Sequence, residues 1–250
     1  MPLTKPRHWL RWLLAALAVV VVLAIAGPFI YIHFFNGSTP AALSLKNQPS
    51  STASASTASA STAASSTATA STAAAGPVAG SWTVGQGSIV GYRVNEVLLG
   101  QNATAVGRTS SVTGHLVIAG TTVNTASFSV PMATVHSDKS QRDAQFDGRI
   151  MNVAQYPTAT FALTSPIDLA PLPAGGTIKD YTAHGRLTLH GTTRAVTFTL
   201  TAERKGSQIE VSGDIPVLFS DYNIQNPSFA GFVTTQDHGL LEFLLVFNRT

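Results

Sequence analysis

From residue 81 to the end of the chain, apolar and polar side chains alternate with period two, segment after segment. That rhythm suits strands with one apolar face. Val90, Tyr92 and Val94 fall on one face and Arg93 on the other. Val112, Gly114, Leu116 and Ile118 oppose Thr113 and His115, and Ala126, Phe128, Val130 and Met132 oppose Ser127 and Ser129. Ala159, Phe161 and Leu163 oppose Thr160 and Thr164. Tyr181, Ala183, Leu187 and Leu189 oppose Thr182, His184, Arg186 and Thr188. Val196, Phe198 and Leu200 oppose Thr197, Thr199 and Thr201, and Ile209 and Val211 oppose Gln208 and Glu210. Leu241, Phe243, Leu245 and Phe247, with Glu242 opposite, end the set.

About eight strands are therefore expected, and they are expected to be antiparallel. Parallel pairs need crossover helices, and only one helix signal interrupts the series. Gly191-Thr192 and Lys205-Gly206 supply tight turns between consecutive strands. Eight such strands close into a barrel or pack as two sheets. The single helix is expected over 140–150, with Ser140 as its cap and Asp143 reaching back to it. Phe146 and Ile150, four apart, share its inward face. A barrel of this size either fills with its own side chains or holds one small ligand, and periodicity does not choose between them.

Charge and motifs exclude several classes. The chain as a whole is basic, but from residue 81 onward eleven Lys and Arg face twelve Asp and Glu. A nucleic-acid binder concentrates cations on its folded part, and this chain does not. Cysteine is absent, so there is no disulfide framework and no thiolate metal site. His115, His136, His184, His190 and His238 show no metal-ligand spacing. Gly-x-Ser-x-Gly is missing, and Ser220, Asp221 and His238 share no pattern of nucleophile and base. No enzyme, cofactor or metal is expected.

Two stretches carry a more specific signal. One is Arg142-Asp143 followed by Tyr156-Pro157-Thr158-Ala159-Thr160-Phe161. The other runs Gly185-Arg186-Leu187-Thr188-Leu189-His190-Gly191-Thr192-Thr193-Arg194. In this order they resemble the YceI-like family, over a region from about residue 81 to 247. The resemblance implies an eight-stranded, lipocalin-like antiparallel barrel with one short helix, holding a polyisoprenoid chain inside. Asp221-Tyr222 matches the family's aspartate–aromatic pair, with Asn223 where glycine is usual; asparagine tolerates the left-handed backbone such a turn needs. The histidine common in the family's first strand region is not matched, since this chain reads Val94-Asn95-Glu96 there.

A prenyl chain needs apolar walls without charge. The expected lining is Tyr92, Val94, Phe128, Val130, Met132, Phe161, Leu163, Leu187, Leu189, Phe198, Leu200, Phe243, Leu245 and Phe247. Met132 can adapt to a flexible ligand. Residues 221–239, with Pro227, Phe229, Gly231 and Phe232, form either a flap over a barrel mouth or a loop with one more short strand. Asp143 serves the helix N-terminus and Arg142 pairs with a nearby carboxylate. The alternative for Arg142 or Arg194 is a polar or pyrophosphate head group at a barrel mouth.

Residues 1–11 form a basic tail with Lys5, Arg7 and Arg11, and no Lys or Arg follows until Lys46. Residues 12–35 are apolar, and their uncharged run from Trp12 to Ile32 is about the length needed to cross a bilayer as a helix. The charge bias places the tail in the cytoplasm and the remainder outside. A cleaved signal peptide ending at Ala24-Ile25-Ala26 is the competing reading, opposed by Pro28 and by the apolar residues Phe29, Ile30 and Ile32 beyond the cut. Residues 36–80 are expected to be a disordered stalk, because 50–75 contain only Ser, Thr and Ala and bury no core. Residues 81–250 form the barrel domain. The expected partners are a long-chain lipid ligand and the membrane, reached through the N-terminal helix; a homodimer is left open. The other class of function open to such a chain is a filled barrel acting as a stalk-mounted interaction module at the cell surface.

Overall fold

A computed structural model describes residues 39–47 and 78–250, apart from 99, 174, 229, 230 and 232, together with the isolated residues 12, 13, 17 and 20. The rest of the apolar segment and the Ser/Thr/Ala stretch lie outside these, as do Phe229 and Phe232. Among the described residues no helix is long and apolar enough to cross a membrane.

Thirteen strands make up the described sheet. They are β1 (Gly80–Val84), β2 (Ile89–Leu98), β3 (Gln101–Thr109), β4 (Thr113–Ala119), β5 (Thr122–Pro131), β6 (His136–Ser137) and β7 (Thr158–Leu163). Then come β8 (Ile167–Asp168), β9 (Lys179–Leu189), β10 (Thr192–Lys205), β11 (Gln208–Leu218), β12 (Val233–Thr235) and β13 (His238–Arg249). Eight of them form a closed antiparallel ring in the order β1-β4-β5-β7-β9-β10-β11-β13, with β13 returning to β1. Closure leaves this ring no free edge. Of the remaining strands, β2 pairs the first half of β13 and carries β3 and β12, β6 pairs β3, and β8 pairs β5.

Four of these strands, β1, β3, β6 and β8, carry too little alternation to be expected from sequence. The clearest case is β1, which with β2 makes one interrupted strand beside β13. The break at 85–88 is mended locally. Gly85 N–H donates to the Val246 carbonyl (2.7 Å), and the buried Ser88 hydroxyl accepts from Val246 N–H (2.9 Å). The β13 backbone therefore stays satisfied where its partner strand is interrupted.

The helix differs from expectation. An α-helix, α1 (Ser140–Gln145), passes into a wider π-helical turn at Phe146–Ile150. The N-cap is Lys139, not Ser140. Ser137 explains the shift: its hydroxyl accepts from Lys139 N–H (3.2 Å) and fixes the preceding turn. Asp143 does reach back, but to Ser137, whose N–H (2.8 Å) and hydroxyl (2.6 Å) both donate to one carboxylate oxygen.

The motifs noted in the sequence meet at the end of the barrel where α1 lies. The β9–β10 turn is the two residues His190-Gly191, both with positive φ (50° and 72°), as a tight hairpin requires. Tyr156 stands edge-on to His190, with ring centroids 4.5 Å apart, and covers Gly191. The His190 Nδ1 faces the Tyr222 carbonyl at 3.0 Å, so that nitrogen carries the proton. Arg194 Nε donates to the Asp221 carbonyl (2.9 Å), and Asn223 takes the left-handed conformation (φ 55°). The signature thus ties a hairpin, a loop and a 3-10 turn together.

Gly191→Ala should be costly here. A Cβ would lie 2.5 Å from the Tyr156 ring at a backbone angle that L-residues resist. The expected loss is about 2–3 kcal/mol, seen as a lower melting temperature in a circular-dichroism melt. A variant melting with the parent would remove this contact from the account of stability.

Candidate functional site

The inward faces of the ring strands enclose a cavity of about 710 Å³. That lies within the ~300–1,000 Å³ typical of small-molecule sites. The interior is therefore not packed solid. Two apolar clusters build its wall, one toward α1 around Met132, Phe146, Leu187 and Phe219, the other toward the opposite end around Leu116, Val211, Leu245 and Phe247. Val130, Leu163, Leu200 and Phe243 pack against both.

All fourteen residues expected to line a ligand site stand on this wall. Five aromatic rings run around it in sequence. Phe247 lies 5.8 Å from Phe128, Phe128 lies 6.1 Å from Phe161, Phe161 lies 5.6 Å from Phe198, and Phe198 lies 5.8 Å from Phe243. Edge-on and offset contacts of this kind each add a little beyond simple burial.

Glycines opposite the rings help keep the cavity open. Tyr92 covers Gly107, Phe128 covers Gly114, Phe161 covers Gly185 and Phe243 covers Gly213. A Cβ at these glycines would come within 2.3, 2.4, 2.2 and 2.8 Å of the respective ring. Each ring occupies the place of a missing side chain on the neighbouring strand and so lies back along the wall. The same device hides β3 from sequence reading, because its inward residues, Ala105 and Gly107, are small.

Polar groups gather at the α1 end. Glu96, Gln141, Arg142, Gln145 and Arg149 line the cavity there, and Glu203 and Arg204 line it near the other end. Arg142 pairs with Asp138 (2.5 Å) and with Glu96 (3.4 Å), the carboxylate pairing expected of it. Arg149 donates to the Gln145 side chain (3.1 Å) and the Pro227 carbonyl (3.0 Å). Arg194 is not at the cavity; it lies outside, held by the Asp221 backbone. Tyr92 stacks on Phe146 at 5.1 Å, and burial, opposed by Arg142, drives its phenol well above the ordinary value. It stays protonated at every physiological pH and adds no charge to the wall.

Several lining residues were not expected. Ile215 and Val217 belong to β11, which continues to Leu218 although Gly213 and Pro216 read as strand breakers. Met151 and Phe219 come from turns without periodicity. In the 221–239 segment, β12 is the short strand of the loop reading, while Pro227, Val233 and Thr235 also border the cavity.

The histidines have ordinary partners. His184 Nδ1 lies 2.9 Å from the Thr197 hydroxyl, His136 3.4 Å from Asp143, and His238 2.7 Å from Asp237. Among the described residues no group of three or more His, Asp or Glu could hold a metal ion.

The wall can bury a long apolar chain. Comparison with known proteins agrees with this architecture. The model of the YceI-like domain matches residues 51–247. No curated protein matches the chain. Among solved structures, a polyisoprenoid-binding domain from Saccharophagus degradans, implicated in plant cell wall breakdown, is similar at 17% identity and a TM-score of 0.57. That match covers 68% of this chain and 98% of that one. BcnA of Burkholderia cenocepacia is similar at 22% identity and a TM-score of 0.48, over 62% and 95% of the two chains. At 17% identity the first likeness speaks for the fold alone. The chain belongs to the YceI-like family, whose members are lipocalin-like binding barrels rather than enzymes.

Proposed function

We propose that this protein takes up a polyisoprenoid or similar long-chain lipid into its barrel, and that residues 12–35 anchor it in a membrane with the barrel on the extracytoplasmic side. The observation that carries the proposal is the apolar cavity of about 710 Å³ at the centre of the ring. Burying hydrocarbon against such walls gains ~25 cal/mol per Å² without any covalent step. The S. degradans neighbour, described as polyisoprenoid-binding, supports the same ligand class. Arg149 and Gln141, which line the cavity at the α1 end, would meet a polar head there.

Organic extraction of the purified protein, followed by mass spectrometry, tests this directly. A long-chain lipid should be released, and the stripped protein should take up added prenyl lipid. A clean extract together with no uptake would favour the interaction-module reading and end the carrier one.

A further inference from the structure

Residues 39–47, which the sequence places in the linker, lie across the outside of the barrel. Arg93 donates to the Pro40 carbonyl (2.7 Å), and Arg108 donates to the Ala41 carbonyl. Leu45 N–H donates to the Ser212 hydroxyl (3.1 Å), and the Leu45 side chain is buried at 6% exposure. Both arginines also grip Glu242 from the outer face of β13. The segment is thus fastened at both ends by specific contacts.

This fastening changes what the linker can do. Between Phe35, the last residue of the apolar run, and Thr39 lie only three residues. Four residue steps reach at most about 14 Å. An unfastened 36–80 would average roughly 40 Å as a coil. Position along the barrel also follows from register. Arg93 stands opposite Leu240, two residues from the start of β13 at the α1 end, or roughly 7 Å along the strand. Ser212 pairs with Leu244, farther from that end. The chain therefore crosses the barrel wall with its N-terminal side toward α1.

The α1 end has the chemistry of a bilayer contact. Val97, near the tip of the β2–β3 hairpin, is 38% exposed. Arg149 is held there by neutral oxygens and keeps its charge uncompensated by them. An exposed apolar residue and a guanidinium at one end of the barrel suit the interface between lipid tails and phosphate head groups.

We infer that residues 39–47 are a clasp that holds the α1 end of the barrel, with its polar rim, against the membrane surface. The barrel is then reached at residue 39, ahead of the Ser/Thr/Ala stretch, so that stretch does not set its distance from the membrane. The polar groups that line the cavity at that end then face the bilayer that supplies or receives the lipid. The inference rests on the anchor proposed above.

The absence of cysteine makes single-site labelling clean. The full chain, in phosphatidylcholine vesicles with some phosphatidylglycerol and a head-group nitroxide lipid, is labelled at Val97→Cys or, at the opposite end, at Ser207→Cys. Quenching should be several-fold stronger at position 97. It should fall toward the position-207 level in Leu45→Asp, or when a long Gly/Ser spacer is inserted after Ser38, which leaves every clasp contact in place. Shortening 48–77 should leave it unchanged. Equal quenching at the two positions, or indifference to the spacer, overturns the clasp. Protein that washes off the vesicles at high pH overturns the anchor and the clasp with it. Uptake of prenyl lipid by the same vesicles is read separately, so that uptake without preferential quenching removes the clasp alone.

Discussion

Glu242→Ala is expected to lower the stability of the barrel by about 3 kcal/mol. The Glu242 carboxylate is 4% exposed on the outer face of β13, where Arg93 Nε approaches one oxygen at 2.5 Å and Arg108 Nη2 the other at 3.3 Å. Bringing these charges out of water is costly, and the pairing offsets that cost only while it is complete. Removing the carboxylate leaves two guanidiniums beneath residues 39–47 with backbone carbonyls as their remaining oxygen partners. Both arginines retain some solvent, which keeps the loss below the upper range for a broken buried pair. For a domain of this size the melting temperature should fall by roughly 6–12 °C. Glu242→Gln keeps the shape and one acceptor oxygen but not the charge, and should fall between parent and alanine. An alanine variant that melts with the parent would mean that the arginines find water instead, and that the face is far more open than its geometry implies.

Strand-rich architecture was legible from residue 81 onward because one face of each long strand is buried and the other is wet. Tyr181, Ala183, Leu187 and Leu189 alternate cleanly with exposed neighbours in β9, and such a pattern tolerates no other period. The lining was legible for the same reason, since in a closed ring the inward face is the cavity wall. What stayed hidden departs from that rule for physical causes. In β3 the inward side is small because Tyr92 fills the space over Gly107. The C-terminal half of β11 contains Pro216, whose side chain points outward where a strand-breaking residue can be borne. Leu45 reads as a lone apolar residue in a polar linker, and only the fold brings Ser212 and the outer face of β13 to it. Glu242 reads as an ordinary surface charge, because nothing in the local sequence announces that Arg93 and Arg108 converge on it. The motif around His190 was visible, but its use in locking Tyr156 and Tyr222 into one corner depends on contacts more than thirty residues apart.

Ala126→Leu is expected to weaken binding of the longest prenyl chains by roughly 50-fold while leaving short ones untouched. Ala126 is half-buried on β5, opposite Leu116, and faces the cavity toward the end away from α1. Each methylene moved from water into such walls gains ~0.8 kcal/mol, about a fourfold gain in affinity. Affinity should therefore climb with chain length and level off once the cavity is full. An isobutyl group in place of a methyl takes up the room of three ligand carbons, about 2.4 kcal/mol for any chain that reaches it. A ligand too short to reach position 126 loses nothing. The fold should be unharmed, because the added carbons enter open space and not a packed contact. Binding titrations across a series of prenyl alcohols, with melting curves for both proteins, separate the outcomes. A plateau moved to shorter chains at unchanged stability places Ala126 on the ligand path. Unaltered binding of the longest alcohol would take it off that path, and a uniform loss with a lower melting temperature would mean that the leucine disturbed the barrel itself.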